Sequence, residues 1–253
     1  MTQAHAFLFP GCAFQTGVDL AEKDFGETLT RHLKALRIRE GESVSFLDGT
    51  GHIADAVCSS SRPYIFRVNE IERHAPQLPA LRLYLSPPRR DTLSQTLSQA
   101  TEMGVSRITF LTSEHNDYSQ KERSPLLERS RRVVEAAIEQ CRAPYLPQLD
   151  DGWSSLKDAL GSLQSHAFFA DEDLSRGGVY GPTSAMDISL HVAEISLFVG
   201  PEGGWSAVER RMILDTPLVI PLGLGPRILK VPTACVAALY QLRLLADAQR
   251  GPR

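Results

Sequence analysis

Cysteine is scarce in this chain. The four residues, at 12, 58, 141 and 235, lie far apart among 253 residues, with no Cys-x-x-Cys pair. That spacing excludes a zinc ribbon or a disulfide-stapled scaffold and reads as small buried hydrophobes in a reducing compartment. An excess of either charge is also missing: 27 Lys+Arg stand against 30 Asp+Glu, a formal net charge of −3. So balanced a chain is no general, charge-driven coat for nucleic acid, although it leaves room for a local basic surface that reads one structured RNA. No apolar run approaches the ~18 residues of a membrane span. The first residues, Met1 to Phe14, lack a basic region, and Pro10 and Gly11 break their apolar stretch, so no signal peptide is expected. These absences predict a cytoplasmic protein without a membrane partner, metal or structural disulfide.

What is present is ordinary globular composition, 42% hydrophobic and 23% charged, with length for one large domain or two modest ones. Residues 1–75 read as a small β-rich unit. Val44–Leu47 is a strand, Asp48-Gly49-Thr50-Gly51 a turn, and His52–Cys58 and Tyr64–Val68 alternate as further strands. Thr28–Leu36 has a helical period, with Leu29, Leu33 and Leu36 on one face. Prolines 76 and 79 mark a linker.

From residue 76 to 253 strands alternate with helices, which predicts a mostly parallel sheet covered on both faces. The expected strands are Leu81–Leu85, Val105–Leu111, Ala167–Ala170, Ile195–Val199 and Leu218–Ile220. The expected helices are Asp91–Met103, stopped by Gly104; one opened by Ser124 and Pro125; one capped by Ser206 and Glu209; and Thr233–Leu245.

Two glycine-rich loops follow strand ends, where open α/β sheets bind ligands. They are Gly200-Pro201-Glu202-Gly203-Gly204-Trp205 and Pro221-Leu222-Gly223-Leu224-Gly225-Pro226-Arg227-Ile228-Leu229-Lys230. Neither fits the Walker A pattern or the dinucleotide GxGxxG fingerprint, so phosphate cradling is not their evident use. Glycines there let backbone approach a flat ligand closely. Each loop alone also reads as a tight turn.

Together, VGPEGGWSAVE and LGPRILKVPTA are far more specific. The pair resembles the RsmE family, the 16S ribosomal RNA uridine-N3 methyltransferases of the SPOUT class. The likeness extends to Glu102–Val105, to the helix Glu135–Gln140, and to Arg31–Arg37 with the Phe46-Leu47-Asp48-Gly49 turn. It implies an N-terminal PUA-like β-barrel (1–75) and a SPOUT domain (76–253) with a C-terminal trefoil knot. It further implies a homodimer, S-adenosylmethionine held by the knot loops, and ribosomal RNA or the small subunit as partner. The implied cofactor residues are Phe169, Gly200, Pro201, Glu202, Gly203, Gly204, Leu222, Gly223, Leu224, Gly225, Ile228 and Leu229. Arg227 and Lys230 are the implied catalytic cations, placed to favour negative charge on uracil as N3 loses its proton. Two alternatives stand beside this reading: a non-catalytic RNA- or ribosome-binding protein that kept the fold, and a SPOUT methyltransferase with another RNA target.

The chain departs from the family at several polar positions. Lys230 and Pro232 replace an arginine and a glutamate, Gln99 a lysine, His115 an arginine, and Arg142-Ala143 a Gly-Arg pair. Lys230 supplies charge but no planar fork. Arg89, Arg90 and Arg142 are the expected substitutes for RNA contact, with His115 beside them. Arg31, Lys34, Arg37 and Arg39 read equally as a phosphate-contacting edge and as a solvated helix face. Asp171-Glu172-Asp173 lies where a third pocket loop is expected.

Overall fold

The computed structural model describes residues 5–116, 118–176, 180–182 and 189–250. The chain divides into two units, Met1–Pro76 with Glu135–Leu146, and Gln77–Val134 with Pro147–Arg253.

The first unit contains β1 (His5–Leu8), β2 (Asp19–Ala21), α1 (Glu27–Leu36), β3 (Ser43–Leu47), β4 (His52–Ser61) and β5 (Tyr64–Arg73). Its sheet runs β1-β3-β4-β5-β2, antiparallel except for β1 beside β3. With β1 and β2 as edges, the sheet is open and not closed into the expected barrel. Phe46 and Phe66 meet edge to face at 5.2 Å, and Phe25 stacks on Phe46 at 5.8 Å, in a core with Phe7 and Leu33. Of the expected helix face, Leu29 and Leu33 are buried, but Leu36 is 45% exposed. The chain turns at Arg37 in the left-handed region, and Ile38 takes the core position instead. The turn between β3 and β4 is organised by Asp48, whose carboxylate accepts from the backbone N–H of Thr50 and His52 and from both side chains. Residues Glu135–Leu146 join this unit for concrete reasons. Ile138 packs with Leu47 and Ile53, Glu139 accepts the N–H of Leu8, and the N–H of Leu146 donates to Gly49.

The second unit begins with β6 (Ala80–Leu85), α2 (Arg90–Glu102), β7 (Arg107–Thr112) and α3 (Gln120–Cys141), whose residues from Glu135 on belong to the first unit. The short pieces β8 (Gln148–Leu149), β9 (Ser154–Ser155) and α4 (Leu156–Gly161) follow, then β10 (Ala167–Ala170), α5 (Glu172–Arg176) and β11 (Tyr180–Pro182). β12 (Glu194–Val199), α6 (Ala207–Leu214), β13 (Val219–Leu224) and α7 (Val231–Arg250) complete it. The sheet order is β11-β13-β10-β12-β6-β7-β8, with β9 also beside β7. Every pairing is parallel except β11 with β13. Ile195 to Val199 are all buried, as a strand covered on both faces requires.

Three element boundaries differ from the sequence expectation. α3 starts at Gln120, not at Ser124, because the backbone N–H and hydroxyl of Ser119 both donate to the Glu122 carboxylate. Pro125 therefore sits inside the helix, on its exposed side, where water can reach the carbonyl it leaves without a donor. β13 runs on through Leu224, so the first four residues of the second glycine loop, Pro221 to Leu224, are strand, paired to β10 or β11. α7 begins at Val231, with Pro232 in its first turn, where a missing N–H is harmless.

Candidate active site

Strands β13, β10 and β12 are neighbours and parallel, so their C-terminal ends reach the same edge of the sheet. Phe169 stands opposite Phe198 on one side and Pro221 on the other. The loops leaving these ends enclose a cavity of about 650 Å3. Of the residues expected there, Phe169, Gly200, Pro201, Gly203, Gly204, Leu224, Ile228 and Leu229 line it, and so does Arg227.

The remaining expected residues lie elsewhere. Leu222 and Gly223 are buried strand residues, Leu222 paired to both β10 and β11 and Gly223 to β11. Gly225 has φ +98, and a Cβ there would stand 2.5 Å from the Tyr180 ring, so glycine is required by Tyr180. Glu202 points into a neighbouring hollow, where it accepts from the Thr92 hydroxyl at 2.8 Å and lies 3.7 Å from Arg89. Lys230 is exposed at the start of α7, its carbonyl accepting from Ala234.

The acidic segment after β10 does enter the cavity. Asp171, only 3% exposed, receives a forked pair of bonds from Arg210 at 2.7 and 3.2 Å, and the same guanidinium reaches Asp173 at 3.2 Å. Its hydrogen bond to Asp171 holds the Arg210 pKa above the ordinary arginine value. Arg210 comes from α6, which a reciprocal capping box starts: Ser206 Oγ accepts from the Glu209 N–H, and the Glu209 carboxylate accepts from the Ser206 N–H. The other oxygen of Glu209 accepts from the N–H of Glu114 at 2.8 Å, tying α6 to the loop after β7. Sequence reasoning missed Arg210, because its partner lies 39 residues away and no local pattern marks the pair.

Trp205 closes the floor. Its ring meets Phe169 edge-on at 6.3 Å, and its Nε1 is buried without a hydrogen-bond partner among the described residues. A Cβ on Gly200 would stand 2.8 Å from that nitrogen, so this glycine is fixed by close approach.

The neighbouring hollow, about 610 Å3, brings together Arg89, Arg90 and His115 with Glu122, Glu202 and Tyr118. Arg90 pairs with Glu122 at 3.1 Å, and His115 Nδ1 lies 2.9 Å from the Gly204 carbonyl oxygen. Arg142 is not in this group: it belongs to the first unit and pairs with Asp55 at 3.1 Å. Arg31 and Lys34 line a shallow hollow on α1, and Lys34 binds Glu22 at 2.7 Å. Arg37 and Arg39 are exposed.

Comparison with known proteins places this architecture. A Rickettsia conorii protein named ribosomal RNA small subunit methyltransferase E is 27% identical over 159 residues, 63% of this chain and 62% of its own length. The Bacillus subtilis protein of the same name is 26% identical and covers 89% of this chain and 91% of its own. The crystal structure of a Neisseria gonorrhoeae protein of that name, bound to S-adenosyl methionine, superposes with a TM-score of 0.81. It covers 96% of this chain and 98% of its own at 22% identity, which establishes the shared fold. Residues 76–243, more than half of the chain, match the family model of the RNA methyltransferase domain, and the chain belongs to that family.

Proposed function

We propose that this chain is an S-adenosylmethionine-dependent methyltransferase acting on N3 of a uridine in 16S ribosomal RNA of the small subunit. The observation that carries this reading is the glycine-walled cavity at the ends of β10, β12 and β13 in a chain of the RNA methyltransferase family. The name shared by the relatives supports the substrate, and the Neisseria structure supports the methyl donor.

The residues fit that donor. Phe169, Leu224, Ile228 and Leu229 offer apolar walls to a flat adenine. The exposed Glu172 and Asp173 on the acidic edge suit ribose hydroxyls and an ammonium. When bound, S-adenosylmethionine supplies a methyl group on a positively charged sulfur. The chain's own task is to orient the base and favour its anion, because uracil N3 carries a proton. Arg227, exposed at the cavity rim, is placed to stabilise charge on a uracil carbonyl oxygen, with Lys230 assisting from the start of α7.

In this reading the second unit is a SPOUT-type trefoil-knotted domain. The first is a PUA-like unit presenting Arg31, Lys34, Arg37 and Arg39 to RNA, and the protein works as a cytoplasmic homodimer. Mapping N3-methyluridine in ribosomal RNA from a strain lacking this chain, with and without its return, tests the substrate. Restoration of one 16S uridine supports the reading. Methylation of another RNA redirects it. Cofactor binding without any methylation leaves an RNA-binding protein in its place.

A further inference from the structure

We propose that His115 is the general base that removes the N3 proton. The proposal rests on the methyl-transfer reading and names the proton acceptor it requires. The cofactor cavity and the second hollow are adjacent, with Pro201 and Gly203 lining both. His115 lies directly against that shared wall: a Cβ on Gly203 would stand 3.1 Å from the His115 Cβ. A base seated in the second hollow therefore meets His115 at the wall it shares with the cofactor cavity.

The imidazole is held in one tautomer. Its Nδ1 lies 2.9 Å from the Gly204 carbonyl oxygen, and a carbonyl only accepts. Nδ1 therefore donates, and the neutral ring keeps its lone pair on Nε2, the nitrogen left for substrate. The backbone beneath is fixed too, since the Glu114 N–H is anchored on the Glu209 carboxylate.

The other titratable groups facing the hollow are less suited. Tyr118 is raised in pKa by burial, and its hydroxyl donates to the Pro88 carbonyl. Glu122 is lowered, chiefly by the Ser119 hydroxyl, and also binds Arg90. Glu202 is held by Thr92 and Arg89. Among the described residues Glu114 remains as the neighbouring carboxylate, and the experiment separates it from His115.

The step balances as follows. His115 Nε2 takes the N3 proton; the electron pair left on N3 forms the N–CH3 bond; the carbon–sulfur bond breaks and its pair stays on sulfur, now a neutral thioether. The exposed imidazolium then returns its proton to water.

Two measurements test this. Nitrogen-15 NMR of the ring in the free protein should find the proton of the neutral form on Nδ1; a proton on Nε2 overturns the proposal. Single-turnover methylation of unmodified small subunits at saturating cofactor should fall about 10²- to 10⁴-fold in His115→Ala and His115→Gln. Cofactor affinity and thermal melting should match the parent. The parental rate limb that rises as one group loses its proton should vanish in both variants, persist in Glu114→Gln, and return in part when imidazole is added to His115→Ala. A parental rate in His115→Ala, or a limb lost only in Glu114→Gln, overturns the assignment while the methyl-transfer reading stands. A parent that methylates no uridine N3 overturns both.

Discussion

Arg37 and Arg142 occupy a backbone conformation that L side chains rarely adopt, with φ of 54 and 53. Each follows a helix and closes it with a six-to-one bond, Ile38 N–H to Leu33 and Ala143 N–H to Ile138. Glycine fills this position without the Cβ clash, which costs about 1 kcal/mol. Arg37→Gly is therefore expected to stabilise the protein by up to about 1 kcal/mol in urea unfolding, and to weaken RNA binding if the arginine meets phosphate. Asp48 shows the opposite balance. Burial opposes its charge, but the hydrogen bonds from Thr50 and His52 outweigh it and lower the carboxyl from 3.8 to about 2. A depressed folded-state pKa stabilises above the unfolded value, and that contribution fades as pH falls from about 4 to about 2. Asp48→Asn should cost about 2 kcal/mol at neutral pH and much less near pH 2, as measured by unfolding across that window. Arg227→Ala should slow methyl transfer by about 2–4 kcal/mol with little loss of cofactor affinity, and Lys230→Ala by less, since Arg227 lines the cavity and Lys230 does not. Rate loss that merely tracks lost cofactor binding would assign Arg227 to loop order instead.

At the level of elements, α6 links the two hollows. Its capping box satisfies the helix start, delivers Arg210 to Asp171, and uses the second oxygen of Glu209 to hold Glu114. Ser206→Ala should cost about 1 kcal/mol of stability. Because the cap also sets Glu209, faster hydrogen exchange is expected at the Glu114 amide as well as at Glu209; protection unchanged at Glu114 would separate the cap from the loop. β13 is the other shared element. It lines the cavity at its last residue, Leu224, while Leu222 is held between β10 and β11 and Gly223 pairs with β11.

For the whole molecule, α7 divides into two faces. Cys235, Ala238, Leu239, Leu242 and Ala246 are buried, and burial pushes the Cys235 thiol up to about 12. Tyr240 and Leu244, one helical turn apart, are 55% and 50% exposed. An exposed aromatic–aliphatic pair on the last helix is a natural contact for a second copy, as the proposed homodimer requires. Tyr240→Glu with Leu244→Glu should convert a dimer to monomer in analytical ultracentrifugation while leaving the fold intact by circular dichroism. A dimer unchanged by both substitutions would place its interface elsewhere.

The sequence by itself determined the strand–helix alternation, the strands Ala167–Ala170 and Ile195–Val199, and the Ser206–Glu209 cap, because period, turn chemistry and capping are local. Its glycine loops and their pairing located the cavity edge. The tertiary structure alone decided the rest, since each remaining feature depends on residues far apart in the chain. Pairing to β10 and β11 at Leu222, and to β11 alone at Gly223, carried β13 on against the reading of those residues as loop. Contacts with Leu8, Leu47 and Asp55 drew Glu135–Leu146 into the first unit. Arg210 found Asp171, and His115 found the carbonyl of Gly204, 89 residues away. No local pattern encodes which nitrogen of that imidazole carries the proton; a carbonyl brought up from another strand's loop does.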